Sequence, residues 1–93
     1  MDSIIQKKKE CFVCHSQRFL ETHHVFYGTA NRKISDRLGL VIWCCPACHR
    51  GPAGVHHNHD LDMKVKRISE KAFMEYYGKT EDEFRQIFGK SYL

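Results

Sequence analysis

Several absences narrow this chain before any motif is considered. No stretch approaches the ~20 consecutive apolar residues that a membrane-spanning helix needs, so a helical membrane protein is excluded and no membrane partner is expected. The first residues, Met1 to Lys9, have neither a long apolar core nor a small-residue cleavage site, so no secretory leader is expected. Internal repeats and low-complexity segments are missing, which argues against repeat arrays. The length, 93 residues, is too short for two domains. A chain of this size buries only about 60–65% of its surface, and such domains often need a staple. An even set of cysteines is also lacking. The five present stand mostly in CxxC pairs, which argues against a secreted disulfide framework and for a reducing, cytoplasmic setting.

What is present is basic and rich in histidine. The formal net charge is +4 and the pI about 8.9, which fits a nucleic-acid partner without demanding one. The seven histidines are His15, His23, His24, His49, His56, His57 and His59, and none lies beyond Asp60. One half of the chain therefore reads as a metal-rich site and the other as its support.

Cys11-Phe-Val-Cys14 and Cys45-Pro-Ala-Cys48 are two CxxC pairs separated by residues 15–44. Thiolates are soft ligands, and two such pairs can hold one zinc ion tetrahedrally. Four thiolates leave no open position, so this zinc is expected to be structural. Cys44 forms a competing CxxxC with Cys48. The period of two along a strand sends Cys44 and Cys45 to opposite faces, and the CxxC spacing favours Cys45. Cys44 is expected in the core.

Residues 1–10 read as a basic arm carrying Lys7, Lys8 and Lys9, and residues 11–93 as one domain. Arg18 to Tyr27 reads as a strand and Leu40 to Cys44 as a second, buried one. Between them, residues 28–39 lack a clean period and read as a functional loop carrying Arg32, Lys33 and Arg37. Gly51-Pro-Ala-Gly54 breaks the chain. A helix is expected from Asp60, capped by Asn58 or Asp60 and ended by Gly78. Leu61, Val65, Ile68, Ala72 and Tyr76 form its apolar face, and Lys64, Lys66, Arg67 and Lys71 are read as solvated. Thr80-Glu-Asp-Glu83 has the form of a capping box. It opens a second helix with Phe84, Ile87 and Phe88 facing inward, so helical support spans residues 60–89.

Adjacent His23 and His24 on a strand point to opposite faces. Neutral imidazoles bind divalent metals, and a spare imidazole beside a metal can take a proton from water near neutral pH. His49 follows the second CxxC pair, and His56 and His57 follow the Gly-rich turn. A structural role for one of these histidines is the ordinary alternative.

Cys11-x-x-Cys14, then Glu21-Thr-His23-His24-Val, then Leu40-Val-Ile-Trp-Cys-Cys45-x-x-Cys48-His49, resembles the HNH endonucleases, whose core is a ββα-metal finger. The continuation to His56 is similar to a small phage or prophage branch, near the nuclease domain of phage recombination-enhancement proteins. The resemblance implies an α+β fold: a zinc-stapled ββα-metal domain with a short antiparallel hairpin and C-terminal helices. It implies hydrolysis of DNA phosphodiester bonds, with His24 as the general base. His23, His49 and His56 would bind a divalent catalytic metal, expected to be Mg²⁺ or Mn²⁺, with His57 as the alternative to His56. It also suggests a recombination filament, or another phage or host protein, as partner.

Arg32, Lys33 and Arg37 could grip flanking phosphates, exposed loop charge being the competing reading. The family's middle asparagine, which orients the base or the active-site loop, is replaced by Gly39 and Leu40. Asn31 or Asn58 could stand in. With neither a recognition helix nor an aromatic stacking series, low sequence specificity is expected. The alternative function is a non-catalytic zinc module that binds nucleic acid or protein. Such a module needs the four thiolates but not His23, His24, His49 and His56.

Overall fold

A computed structural model describes residues 3–93. The fold is α+β. Its elements run β1 (Glu21–His24), α1 (Thr29–Leu38), β2 (Val41–Cys44), α2 (Pro46–Arg50), α3 (His59–Tyr77) and α4 (Glu81–Phe88). The strands form a two-stranded antiparallel hairpin in which Glu21 faces Cys44 and His24 faces Val41. No helix among the described residues is long and apolar enough to cross a membrane.

The first strand is shorter than the expected Arg18–Tyr27. Phe19 takes a left-handed backbone (φ 54) and is 82% exposed, so pairing cannot begin before it. After His24, only the bond from Val25 N–H to Leu40 O, 3.1 Å, prolongs the ladder.

The expected loop over 28–39 is a helix. Glycines that read as loop ends are its caps: Gly28 at the N-cap with φ 97, Gly39 at the C-cap in the left-handed region. Its inner stripe is narrow, with Ile34 and Leu38 half-buried against the core and Ser35 fully buried. Only two large apolar residues in ten, with the small, exposed Ala30 as the third, make that helical period faint.

The segment read as an arm is largely docked. Ile4 N–H donates to Gly39 O at 2.9 Å, Ser3 Oγ to Val41 O at 2.5 Å, and Trp43 N–H to Gln6 Oε1 at 2.8 Å. The open flank of β2 presents unpaired backbone groups, and residues 3–6 satisfy them. Lys7, Lys8 and Lys9 are exposed. Residues 1 and 2 of that segment lie outside the described residues.

Asn58 caps α3 by accepting from Leu61 N–H at 3.1 Å, and Gly78 ends it. The buried face differs from the expected one. It carries Asp62, Val65, Lys66, Ser69, Glu70 and Phe73, while Ile68 is 38% and Tyr76 66% exposed. Polar residues occupy it because they find partners there. Lys66, read as solvated, pairs with Asp62 at 2.9 Å. Glu70 accepts from Ser91 Oγ and from Tyr92 N–H at 2.6 and 2.7 Å.

The capping box at Thr80 is formed in full, and α4 buries Phe84 and Phe88 with Ile87 half-buried. These rings pack with Phe26 and Phe73 into an aromatic core beneath the hairpin. Val25, Leu40, Ile42, Cys44, Val55 and Val65 complete that core.

Candidate functional site

The four CxxC thiols converge. Cys11, Cys14, Cys45 and Cys48 bring their sulfurs within 4.8 Å of one another, with Cys14 Sγ 3.6 Å from Cys45 Sγ. The first knuckle forms because Cys14 N–H points at Cys11 Sγ, 3.5 Å. The second forms because Pro46 starts α2 directly after Cys45.

Burial raises the Cys11 thiol, but backbone N–H groups of Cys14, Cys45 and Val13 outweigh it and bring its pKa to about 6. Burial, then the neighbouring thiols, push Cys48 the other way. Four crowded thiols cannot all ionise unless a cation is shared among them. The donor set therefore fits zinc. Cys44 lies in the core, fully buried, and burial lifts its thiol to about 12. It is not part of the cluster.

A second convergence is made by histidines. His23, His49 and His56 place one ring nitrogen each within 4.8 Å of the others. The strand period puts Glu21 and His23 on one face, and both meet His49. The His23 and His49 rings are 5.2 Å apart, and His49 Nδ1 lies 2.7 Å from Glu21 Oε1. Glu21 also accepts two bonds from the Arg50 guanidinium. The Arg50 bonds first, and then His49, hold the Glu21 carboxyl down at about 2.

His49 follows the last cysteine on α2, so the thiolate clamp fixes its position. His56 arrives after a turn pinned by Val55 N–H to Cys48 O, 2.9 Å. That turn is tight: a Cβ on Gly51 would meet Ala47 O at 2.3 Å. His49 Nε2 and His56 Nε2 are 3.0 Å apart.

Two features fit a metal at these imidazoles. His23 is 2% exposed and its Nε2 has no hydrogen-bond partner among the described residues. Glu21 occupies Nδ1 of His49 and leaves its Nε2 for an ion, the usual carboxylate–histidine arrangement. Burial first, then His56 and His49, drive the His23 pKa to about 3. Burial, then His49, lowers that of His56. Neutral rings are the metal-binding form.

His24 points to the opposite face, with Nε2 3.3 Å from Asp36 Oδ1. It lines an open cleft of about 440 Å³ together with the three imidazoles, Tyr27, Gly28, Thr29 and Arg32. Arg32 and Lys33 border an adjoining recess. Arg37 borders neither, and sits in the last turn of α1.

Of the two open alternatives, His56 joins the triad, whereas His57 is exposed and outside it. Neither candidate asparagine meets His24. Asn31 Nδ2 donates to Phe88 O at 3.4 Å, and Asn58 caps α3. Asp36, Arg50 and the roles of Glu21 and Tyr27 escaped the sequence reading. Only the motif Glu21-x-His23, two residues on one strand face, carried a signal for any of them.

Comparison with protein-family models, curated proteins and solved structures finds no match for this chain.

Proposed function

We propose that this chain is an HNH-type, metal-dependent endonuclease acting on DNA. The observation that carries the reading is the division of labour on β1: buried His23 converges with half-buried His49 and exposed His56, while His24, on the opposite strand face, lines the same open cleft. A zinc module needs only the thiolates, and nothing in such a module calls for three converging imidazoles beside a fourth.

In this reading Cys11, Cys14, Cys45 and Cys48 hold a closed structural zinc, and His23, His49 and His56 hold a divalent ion, Mg²⁺ or Mn²⁺ being the expected choice. That ion would neutralise the charge that builds on the phosphate and stabilise the leaving oxygen. The chain's own residues do the rest. His24 takes a proton from the attacking water, a contribution of about 10²–10⁴-fold. Arg32 at the cleft mouth, and Lys33 beside it, draw in the phosphate backbone. Glu21 fixes the His49 ring. Contacts to phosphate rather than to bases support low sequence specificity.

The test is nicking of supercoiled plasmid by the zinc-loaded protein with Mg²⁺ or Mn²⁺, with chelator, and beside His24→Ala. Metal-dependent nicking that falls at least 10²-fold in His24→Ala is expected. Absence of nicking with either metal, from a folded, zinc-loaded protein, would overturn the reading in favour of a binding module.

A further inference from the structure

Asp36 lies outside both the thiolate clamp and the imidazole triad. We infer that Asp36 is a positioning residue for His24: it accepts the Nε2–H and so leaves Nδ1 as the nitrogen that receives the proton from water. The reaction rests on the nuclease reading above; the contact, 3.3 Å from His24 Nε2 to Asp36 Oδ1, stands without it.

Both partners are held by backbone. His24 is fixed by its place opposite Val41 in the hairpin. The helix α1 is locked in rotation by the residue before Asp36. Ser35 is fully buried, its Oγ donates to Phe26 O at 2.7 Å, and its carbonyl accepts from Leu40 N–H at 2.8 Å. Turning α1 far enough to release His24 would break a buried hydrogen bond two residues along the same chain.

Local preference argues against an aspartate here. Asp is a weak helix former, and a carboxylate in the last turn faces the negative end of the helix dipole. No acidic residue occupies the favourable first turn of α1. A residue in such a place is accounted for by its tertiary partner, and His24 is the partner it meets. Arg32 and Lys33 lie one turn earlier on the same recess, so the carboxylate does not repel a phosphate unopposed.

A neutral imidazole has one donor and one acceptor nitrogen. An acceptor at Nε2 selects the Nε2–H tautomer and puts the lone pair on Nδ1. In the step, the water oxygen forms the new bond to phosphorus and the water proton passes to Nδ1. The bond from phosphorus to the leaving oxygen breaks, and that oxygen takes a proton from solvent. Asp36 exchanges no proton; it faces the imidazolium that forms.

Two measurements on the zinc-loaded protein test this. Nitrogen-15 spectra of the histidine rings are expected to find His24 as the Nε2–H tautomer, and as a mixture in Asp36→Ala. An Nδ1–H tautomer or a mixture in the native protein would overturn the Asp36 contact. In plasmid nicking, Asp36→Ala is expected to lower kcat about 10–100-fold, the usual cost of losing a partner that orients a site histidine, with KM little changed. Asp36→Asn, which keeps an acceptor oxygen, should recover much of that loss. In a His24→Gly chain rescued by added imidazole, Asp36→Ala should cost nothing further, since the free ring needs no tether. Native kcat in Asp36→Ala, or the same loss in both backgrounds, overturns the inference. Undiminished nicking by His24→Gly without imidazole would instead overturn the base assignment, and this role with it.

Discussion

Glu21 shows how one side chain can serve a candidate metal site without joining it. It bridges His49 Nδ1 and the Arg50 guanidinium, holding the ring so that Nε2 faces the other imidazoles. Glu21→Gln is expected to weaken binding of Mn²⁺ at the histidine triad by about 10–100-fold, measured by calorimetric titration of zinc-loaded protein. The effect should be flat across neutral pH. The Glu21 carboxyl sits at about 2 in the fold against an ordinary 4.5. The stabilisation it provides is thus fully present above its ordinary value and lost only as pH falls through about 2. Loss of the ion at any pH above that therefore belongs to the imidazoles, which must be neutral to bind. The two candidate clusters were legible because CxxC pairs and clustered histidines are local statements. The pairings of Glu21 with His49 and of His24 with Asp36 were not, because each joins two elements whose relative placement only the tertiary fold decides.

Elements were legible where caps and apolar period agreed. The capping box at Thr80 and the aromatic spacing of Phe84 and Phe88 gave α4, and Asn58 and Gly78 bounded α3. Thr80→Ala should lower unfolding free energy by about 0.5–2 kcal/mol, read from denaturant midpoints at unchanged slope. An unchanged midpoint would mean the box adds nothing beyond packing. Legibility failed where polar residues were buried. The inner face of α3 holds an Asp62–Lys66 pair and Glu70 beside the expected Val65, with Leu61 half-buried and Ile68 and Tyr76 exposed, so hydrophobic period marked only one edge of it. Lys66 also lies over the Tyr27 ring at 4.3 Å, and Tyr27 Oη donates to Asp62 Oδ2 at 3.1 Å. Helix α1 was missed for a related reason: its inner residues include Ser35, whose burial is satisfied by Phe26 O.

At the scale of the molecule, the thiolate cluster decides whether there is a fold to discuss. It joins the segment at Cys11 to the end of β2 and sets the start of α2, so His49 depends on it. Structural zinc sites are worth about 10–16 kcal/mol in zinc-finger peptides, as much as the whole stability of an ordinary domain, about 5–15 kcal/mol. Cys14→Ser or Cys45→Ser should therefore lose one zinc and the far-ultraviolet circular dichroism of the folded chain together. A folded, zinc-loaded variant would refute the ligand set. His23→Ala should leave zinc and fold in place, since its Nε2 makes no hydrogen bond among the described residues.

The adjacency of His23 and His24 has a mechanical meaning. Their Cα atoms are joined by one trans peptide, a span of 3.8 Å that does not stretch. Whatever ion pulls on the first ring, the backbone of the second follows. In the proposed reading, the gap between the ion and the proton acceptor would thus be gauged by covalent bonds and the hairpin ladder rather than by the give of packed side chains. The chain carries its own ruler, and cations of different radius become a way to read its scale.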